Sequence, residues 1–285
     1  MARAYRPTWC PRKVLLTTTG HDQLPEIWCR CDGGPHGALR AAMRAATAAL
    51  SVEVRYGGVH ILADPGTYCY YSAQWWSYFR SMITYRVAEA VGWNQVYDKG
   101  RFLRLRKAHA WETGLIDHGD IANWAAEHDG YLWVDSPMRH RRSVLLDRAS
   151  RIVDIVDQID GGTRDFCSVF HFGPEIQVEH GEFSAFLSWP GSITPGSARM
   201  ELPLGLSWTL HRIQNDAAPG GPTEPVAAYM LLGRGQGVAD APLVTRLEFS
   251  DTEMLPDISF FKSISTSSPD NHGGEGNEES QAKAK

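Results

Sequence analysis

At 285 residues, the chain is long enough for one large domain or two small ones. Its apolar fraction of 43% and its ten tryptophans are ample for a packed core, and its formal net charge of −5 is unremarkable. This mild acidic excess argues against a general nucleic-acid binder, which would carry a basic stripe. No window approaches the roughly 18 apolar residues of a membrane-spanning helix. We therefore predict neither a nucleic-acid partner nor a membrane partner.

The N-terminal region is basic and poorly patterned, and residues 1–20 are predicted to form a loose arm. It contains no apolar stretch of the kind that a secretory signal needs. Residues 21–262 are predicted to form one domain. Residues 263–285 are rich in Ser, Gly, Asn and Glu without apolar periodicity, so we expect a disordered polar tail.

The five cysteines are an odd number, so at least one thiol has no partner within the chain. Cys29 and Cys31 are too close in sequence for a typical zinc knuckle, and the sequence has no second cysteine pair that could complete such a site. We interpret the thiols as buried or incidental.

A hairpin is the clearest local prediction. Ile27–Arg30 precedes it as a possible short strand, and the alanine-rich segment 38–48 favours a short helix by propensity. Leu50, Val52 and Val54 then alternate with polar residues, as in a half-buried strand. Gly57-Gly58 supplies a tight turn, apolar positions return, and Asp64-Pro65-Gly66 ends the second strand.

From Gly100 onward, short strand-like runs recur with turn clusters between them. The predicted strands are Phe102–Arg106, Ile121–Ala126, Tyr131–Val134, Ser143–Asp147, Arg151–Asp157, Cys167–Phe172, Glu175–Glu179, Ala185–Trp189, Arg199–Leu202, Ser207–His211, Ala227–Leu232 and Leu243–Phe249. Many short strands at nearly regular spacing indicate a mainly β protein. We predict a large two-sheet antiparallel β-sandwich with few short helices.

Six sequence pieces occur in an order that is similar to one known family. They are ALSVEVRYGG, ILADPGTYCY, YFRS, HDGY at His128–Tyr131, HRRSVLLDR at His140–Arg148 and FHFGP at Phe170–Pro174. Together they resemble the C-terminal domain of the heparinase II/III family of polysaccharide lyases. The resemblance implies a β-sandwich packed against a separate helical toroid, and cleavage of acidic glycans by β-elimination. It also implies a loop, and not a helix, before Leu50, which leaves both alternatives open there.

The chain departs from this family where the family binds metal. The family segment before ALSVEV resembles His-x-His-x-Asp, and its second His is a metal ligand or active-site residue. The matching residues 44–48 here read Arg-Ala-Ala-Thr-Ala, and Tyr85 stands where the family has a further His. Asp64 is the remaining family ligand, and one carboxylate does not hold zinc, which needs three or four ligands. We predict that the zinc site is lost and that the chain has no cofactor.

Four residues near these motifs are candidates for binding an acidic glycan. The guanidinium of Arg80 suits a carboxylate or sulfate, although it could instead bridge loops to Asp64 or to backbone carbonyls. Tyr68 and Tyr70 alternate onto one face, which suits sugar stacking or core packing. Trp76 belongs to an aromatic cluster with the same two alternatives.

The catalytic candidates are weak. Tyr85 has a phenol with an ordinary pKa of about 10, so proton transfer would need a strong perturbation. His36 follows a turn-rich loop and could act as a base or be an exposed turn residue.

Three further motifs are interpreted without a catalytic role. His140-Arg141-Arg142 is interpreted as a solvated strand end, with a sulfate-binding patch as the alternative. His171 is predicted to lie on a sheet surface. Gly233-x-Gly235-x-Gly237 lacks a following helix and is interpreted as a loop.

The resulting functional prediction is a polysaccharide lyase domain that is inactive as an isolated chain, since the resemblance places the proton-transferring tyrosine in the toroid. The alternatives are a non-catalytic glycan-binding or structural module, and an enzyme completed by a toroid on a separate chain. Without a signal peptide, the chain is predicted to be cytoplasmic as it stands, whereas the resemblance implies relatives that often act outside the cytoplasm.

Overall fold

The computed structural model describes residues 13–20, 24–33, 50–63, 89–90, 97–99, 103–106, 110–132, 137–161, 164–215, 226–237 and 242–250. Within these ranges the chain forms eighteen β-strands and no helix. Accordingly, no helix in the described ranges could cross a membrane. The prediction of a mainly β chain is confirmed. The alternatives for residues 38–48 and the predicted tail lie outside the described residues.

The strands are introduced here in chain order. The first nine are β1 (Lys13–Thr17), β2 (Ile27–Asp32), β3 (Val52–Tyr56), β4 (Val59–Leu62), β5 (Glu89–Ala90), β6 (Tyr97–Lys99), β7 (Leu103–Arg106), β8 (Ala110–His118) and β9 (Ile121–Tyr131). The other nine are β10 (Met138–Asp147), β11 (Ile152–Asp160), β12 (Arg164–His171), β13 (Gln177–His180), β14 (Ser184–Ser188), β15 (Ser197–Glu201), β16 (Ser207–Asn215), β17 (Val226–Gly237) and β18 (Leu243–Ser250).

The strands form two facing layers. One layer is an eight-stranded antiparallel sheet with the order β13-β14-β15-β18-β11-β10-β9-β8. The other consists of two four-stranded sheets, β1-β2-β3-β4 and β16-β17-β12-β5. A bridge between Leu62 and Phe172 joins them, and the Ala63 amide donates to the His171 carbonyl at 3.0 Å. The predicted two-sheet sandwich is therefore confirmed, with β6 and β7 as a separate ribbon.

The predicted hairpin at Gly57-Gly58 is present and is tightly specified. Both glycines have positive φ, 53° and 89°, as a two-residue hairpin turn requires. A Cβ on Gly57 would come within 2.4 Å of Thr194 Cγ2, and the Thr194 hydroxyl donates to the Gly57 carbonyl at 3.1 Å. Glycine is thus needed at position 57 for both its backbone conformation and its close contact.

Alternating apolar residues fill the space between the layers. On β10 and β11, Val144, Leu146, Val153 and Ile155 face inward and are at most 1% exposed. Tyr56 of β3 crosses to the other layer, where it stacks on Phe249 at 5.7 Å and meets the edge of Trp189 at 5.3 Å. These contacts build one core shared by both layers.

Several sequence-based expectations are wrong. Part of the arm predicted to be loose is ordered, because Lys13–Thr17 pairs with β2 as an edge strand. The glycines at 233, 235 and 237 belong to β17 and not to a loop. Their small size has a packing reason, since a Cβ on Gly233 would lie 2.7 Å from the ring of Trp208.

His171 is fully buried and does not lie on a sheet surface. Both faces of β12 are covered: Phe170 points into the main core, while Cys167 and Val169 lie in a second apolar cluster with Met230. Alternation along this strand therefore does not distinguish a solvent-exposed face from a buried one.

Candidate functional site

All seven of the predicted site residues lie outside the described residues, so their roles remain predictions. They are His36, Asp64, Tyr68, Tyr70, Trp76, Arg80 and Tyr85. The structure does describe the part of the sandwich to which their segments connect. Cys31 at the end of β2 pairs with Val52 at the start of β3, and Val54 pairs with Leu62 at the end of β4. Residues 34–49 and the chain after Ala63 therefore join the sandwich at the same end of these strands. We call this end of the sandwich the connecting edge.

The facing sheet becomes polar at the connecting edge. Apolar residues line most of the inner face of β9, β10 and β11. At the connecting edge they are replaced by four polar side chains that are at most 3% exposed: His128, His140, Arg142 and Asp157. His128 lies opposite His140 across the strands, and Arg142 lies opposite Asp157. We call these four residues the edge cluster.

Arg142 and Asp157 form the charged centre of the edge cluster. Arg142 Nε donates to Asp157 Oδ1 at 2.7 Å, and the terminal nitrogen Nη2 donates to Oδ2 at 2.8 Å, which is a bidentate pair. Burial alone raises the pKa of Asp157, but the charge of Arg142 and the hydrogen bond from His140 outweigh it and hold that pKa well below its usual range. The carboxylate is therefore ionised and paired in the folded protein.

The two histidines extend this pair into a hydrogen-bonded chain. His140 Nε2 lies 2.7 Å from Asp157 Oδ1, and His140 Nδ1 lies 3.2 Å from His128 Nε2. Burial lowers the pKa of His140, so the ring is neutral at neutral pH despite the opposing pull of Asp157. An ionised carboxylate cannot donate, so the network assigns the His140 proton to Nε2 and makes Nδ1 the acceptor for His128.

The edge cluster reaches across the sandwich to Leu50, two residues before β3 begins. The remaining guanidinium nitrogen of Arg142, Nη1, donates to the Leu50 carbonyl at 3.0 Å. Leu50 has a φ of 65°, a left-handed conformation that costs a non-glycine residue roughly 1–2 kcal/mol. Its amide donates to the Asp32 carbonyl at 2.9 Å, so both backbone polar groups of this strained residue are satisfied.

The interpretation of His140-Arg141-Arg142 as a solvated strand end is wrong for two of its three residues. Arg141 is exposed and donates to Glu127 at 3.1 Å, whereas His140 and Arg142 are buried. Their alternation with Val144 could have revealed this, because residues two apart on a strand share a face. The alternation is not decisive by itself, because charged residues are rarely buried unless paired, and the partner Asp157 lies on another strand.

The described residues do not fit a zinc site. No group of three or more His, Cys, Asp or Glu side chains among them could hold a metal ion. Both carboxylate oxygens of Asp157 are taken by Arg142, whose positive charge also opposes a bound cation. Cys29 and Cys31 are free and buried, and burial raises the pKa of the Cys29 thiol to about 12, so this thiol is protonated at neutral pH.

Comparison with known proteins identifies the fold and the family. The heparan sulfate lyase HepC from Pedobacter heparinus matches with a TM-score of 0.68 and 11% identity, over 88% of this chain and 38% of that one. A heparinase III matches with a TM-score of 0.66 and 12% identity, over 87% of this chain and 36% of that one.

A second heparinase III structure gives a TM-score of 0.64 and 12% identity, over 85% of this chain and 36% of that one. The chain thus spans little more than a third of the length of these structures, and at such identities the likeness shows the fold alone. A search of curated proteins by sequence gave no match. The family model described as heparinase II/III-like, C-terminal, matches residues 26–218, about two thirds of the chain. The chain therefore belongs to the heparinase II/III-like C-terminal family.

Proposed function

We propose that this chain is the β-sandwich domain of a polysaccharide lyase that acts on acidic, uronate-containing glycans by β-elimination. The family match over residues 26–218 is the observation that carries the proposal. The similarity in fold to a heparan sulfate lyase and to heparinase III supports it. The connecting edge, where the segments bearing the family motifs join the sandwich, is where we place the glycan.

The chemistry of elimination indicates that this domain works with another one. A base must remove the uronate C5 proton, the carboxylate must be neutralised, and the leaving oxygen must be protonated. The four titratable or charged side chains of the edge cluster are buried and paired with one another, so they are poor donors and acceptors for a bound sugar. We infer that the proton-transferring tyrosine comes from a helical toroid, in the same protein or on a separate chain.

We further propose that glycan binding here does not depend on zinc. Ala46 and Ala48 stand in the segment where the resemblance implies a histidine ligand, and Asp64 alone cannot bind the ion. Substrate contacts would then fall to Arg80, for the glycan's carboxylate or sulfate groups, and to Tyr68, Tyr70 and Trp76, for its sugar rings.

A calorimetric titration tests the binding half of the proposal. The chain is titrated with heparan sulfate and with the same polymer after chemical reduction of its carboxyl groups. We expect binding to the native polymer that weakens with added salt and with carboxyl reduction, because recognition is directed at the acidic groups. Equal binding of both polymers, or binding of neither, would contradict the proposal.

A non-catalytic glycan-binding module is the second candidate. The replacement of the histidine segment by residues including Ala46 and Ala48 favours it, because those residues cannot bind metal or transfer protons. The two candidates differ in one observable: whether unsaturated uronate forms when the helical domain of a heparinase III is supplied to the chain.

A further inference from the structure

We propose that Arg142 is a positioning residue, which fixes the backbone where the connection between β2 and β3 returns to the sandwich. Asp157, His140 and His128 hold its guanidinium in place. The inference deepens the proposed function and, for its glycan readout, rests on it: residues 44–48, where the resemblance implies the family histidine, end two residues before Leu50.

The backbone at Leu50 needs external support. Its φ of 65° is one that leucine seldom adopts, and its side chain is fully buried. Two backbone hydrogen bonds close the connection at this point, from the Leu50 amide to the Asp32 carbonyl at 2.9 Å and from the Asp32 amide to the Ser51 carbonyl at 3.0 Å. The two ends of the connection are therefore hydrogen-bonded to each other, so the position of Leu50 also affects the position of Asp32.

Arg142 meets this need from the opposite layer. Asp157 accepts hydrogen bonds from Nε and Nη2, which leaves Nη1 directed at the Leu50 carbonyl, 3.0 Å away. Because the guanidinium is planar, fixing two of its nitrogens fixes the direction of the third. His140 and His128 immobilise the Asp157 carboxylate in turn, so the contact to Leu50 is held by three adjacent strands.

Arg148 provides a matched comparison away from the connecting edge. This buried arginine also joins the layers through backbone carbonyls, donating to Thr17 at 2.8 Å and to Gly119 at 2.7 Å. It pairs with a carboxylate as well, Asp117 at 2.5 Å. Arg148 thus has the same kind of contacts as Arg142, but it contacts the turn between β8 and β9 and not the connection between β2 and β3.

The test compares two double variants, Arg142→Met with Asp157→Asn and Arg148→Met with Asp117→Asn. Each removes a charge pair without leaving a lone buried charge, and the amide oxygen introduced by Asp157→Asn would still accept a hydrogen bond from His140. Amide hydrogen exchange is measured on the full chain, with the urea concentration adjusted for each protein so that all have the same global unfolding free energy. We expect the Leu50 and Asp32 amides to exchange roughly tenfold faster in the first variant and at the wild-type rate in the second.

Equal exchange rates at Leu50 and Asp32 in the two variants would overturn the proposal, because the effect would then be general loosening. The single variant Arg142→Lys adds a second measurement. Lysine keeps the positive charge beside Asp157 but has no fork to reach Leu50 at the same time, so we expect faster exchange at Leu50 than in the wild-type chain at matched global stability. Wild-type exchange at Leu50 in this variant would also overturn the proposal.

The glycan readout uses heparan sulfate titrated into the same proteins. We expect its dissociation constant to rise roughly tenfold in the Arg142 double variant and to stay unchanged in the Arg148 double variant. If exchange at Leu50 rises but affinity does not fall, the claimed link to the glycan site is wrong. If the wild-type chain binds no glycan, the proposed function fails, whereas the exchange measurement still decides the role of Arg142.

Discussion

Arg142 and Asp157 lie directly opposite each other on β10 and β11 and share two hydrogen bonds in a site that is almost fully buried. A second bidentate pair, Arg246 with Asp154, has nearly the same distances, 2.8 and 2.9 Å, but lies on the outer surface. The side chain of Arg246 is 44% exposed, against 1% for Arg142. The chain therefore contains one ion-pair geometry in two environments, which separates the effect of burial from that of geometry.

Replacing Asp157 by Asn should destabilise the fold far more than replacing Asp154 by Asn. The first change strands the buried charge of Arg142, which costs about 3–5 kcal/mol, whereas breaking an exposed pair costs at most about 1 kcal/mol. Urea unfolding followed by tryptophan fluorescence measures both. Similar losses in the two variants would mean that Arg142 is not buried as described.

Acid should destabilise the protein in two separate pH ranges. His140 has a lowered pKa in the folded state, so the unfolded chain takes up its proton first, and stability falls as the pH drops below about 6.5. Asp157 also has a depressed pKa, so its contribution is present above the unfolded value of about 3.9 and is lost as the pH falls through its folded value. On the acid side of neutrality the expected curve therefore declines in two stages.

His140→Gln identifies the upper stage. Glutamine can still donate to Asp157 but does not titrate, so the loss of unfolding free energy between about pH 7 and 5 should shrink. It should not vanish, because burial lowers the pKa of His180 as well, with the same sign. An unchanged slope in His140→Gln would show that this ring does not take up a proton on unfolding.

Gly57→Ala should be more damaging than Gly58→Ala. Both residues have positive φ, so each alanine carries a conformational cost of about 1 kcal/mol. At position 57 the new Cβ also overlaps Thr194, whereas at position 58 nothing lies within 4 Å. Thermal melting should therefore show a clearly larger decrease for Gly57→Ala. Equal decreases would mean that the close contact with Thr194 is absent in solution.

Local patterns predict the elements whose partners are close in sequence. The Gly57-Gly58 turn and the strands on either side of Asp147–Ser150 are predictable because turn chemistry and period-two alternation are visible in one window. β8 escapes prediction because all of its residues after Ala110 are exposed, so it has no buried face to set a period. Gly235 resembles a loop residue in sequence, but the reason for a glycine there is a tertiary contact. A Cβ at this position would lie 2.4 Å from the Gly205 carbonyl oxygen.

The site is harder to predict than the fold for a related reason. Burial of His140 and Arg142 depends on Asp157, whose side chain reaches them only after two strands have paired. The candidates Asp64, Arg80 and Tyr85 come from matches to family motifs, and a motif match does not fix where a side chain lies. The described strands fix where the segments bearing those motifs join the sandwich.

Zinc should not copurify with the chain in stoichiometric amount. The prediction follows from the residues at positions 44–48 and from Asp64 as the remaining family ligand. Elemental analysis after incubation with zinc and gel filtration measures it, and Asp64→Ala should leave the small residual content unchanged. One equivalent of zinc that is lost in Asp64→Ala would show that other residues of this chain complete a metal site.

Formation of unsaturated uronate from heparan sulfate or alginate, followed by its ultraviolet absorbance, tests the central claim most directly. The chain is assayed alone and together with the helical domain of a heparinase III, with that helical domain alone as the background. We predict no product from the chain alone and a rise above background when both are present. Product from the isolated chain, or no rise in the mixture, would contradict a lyase sandwich that depends on a toroid.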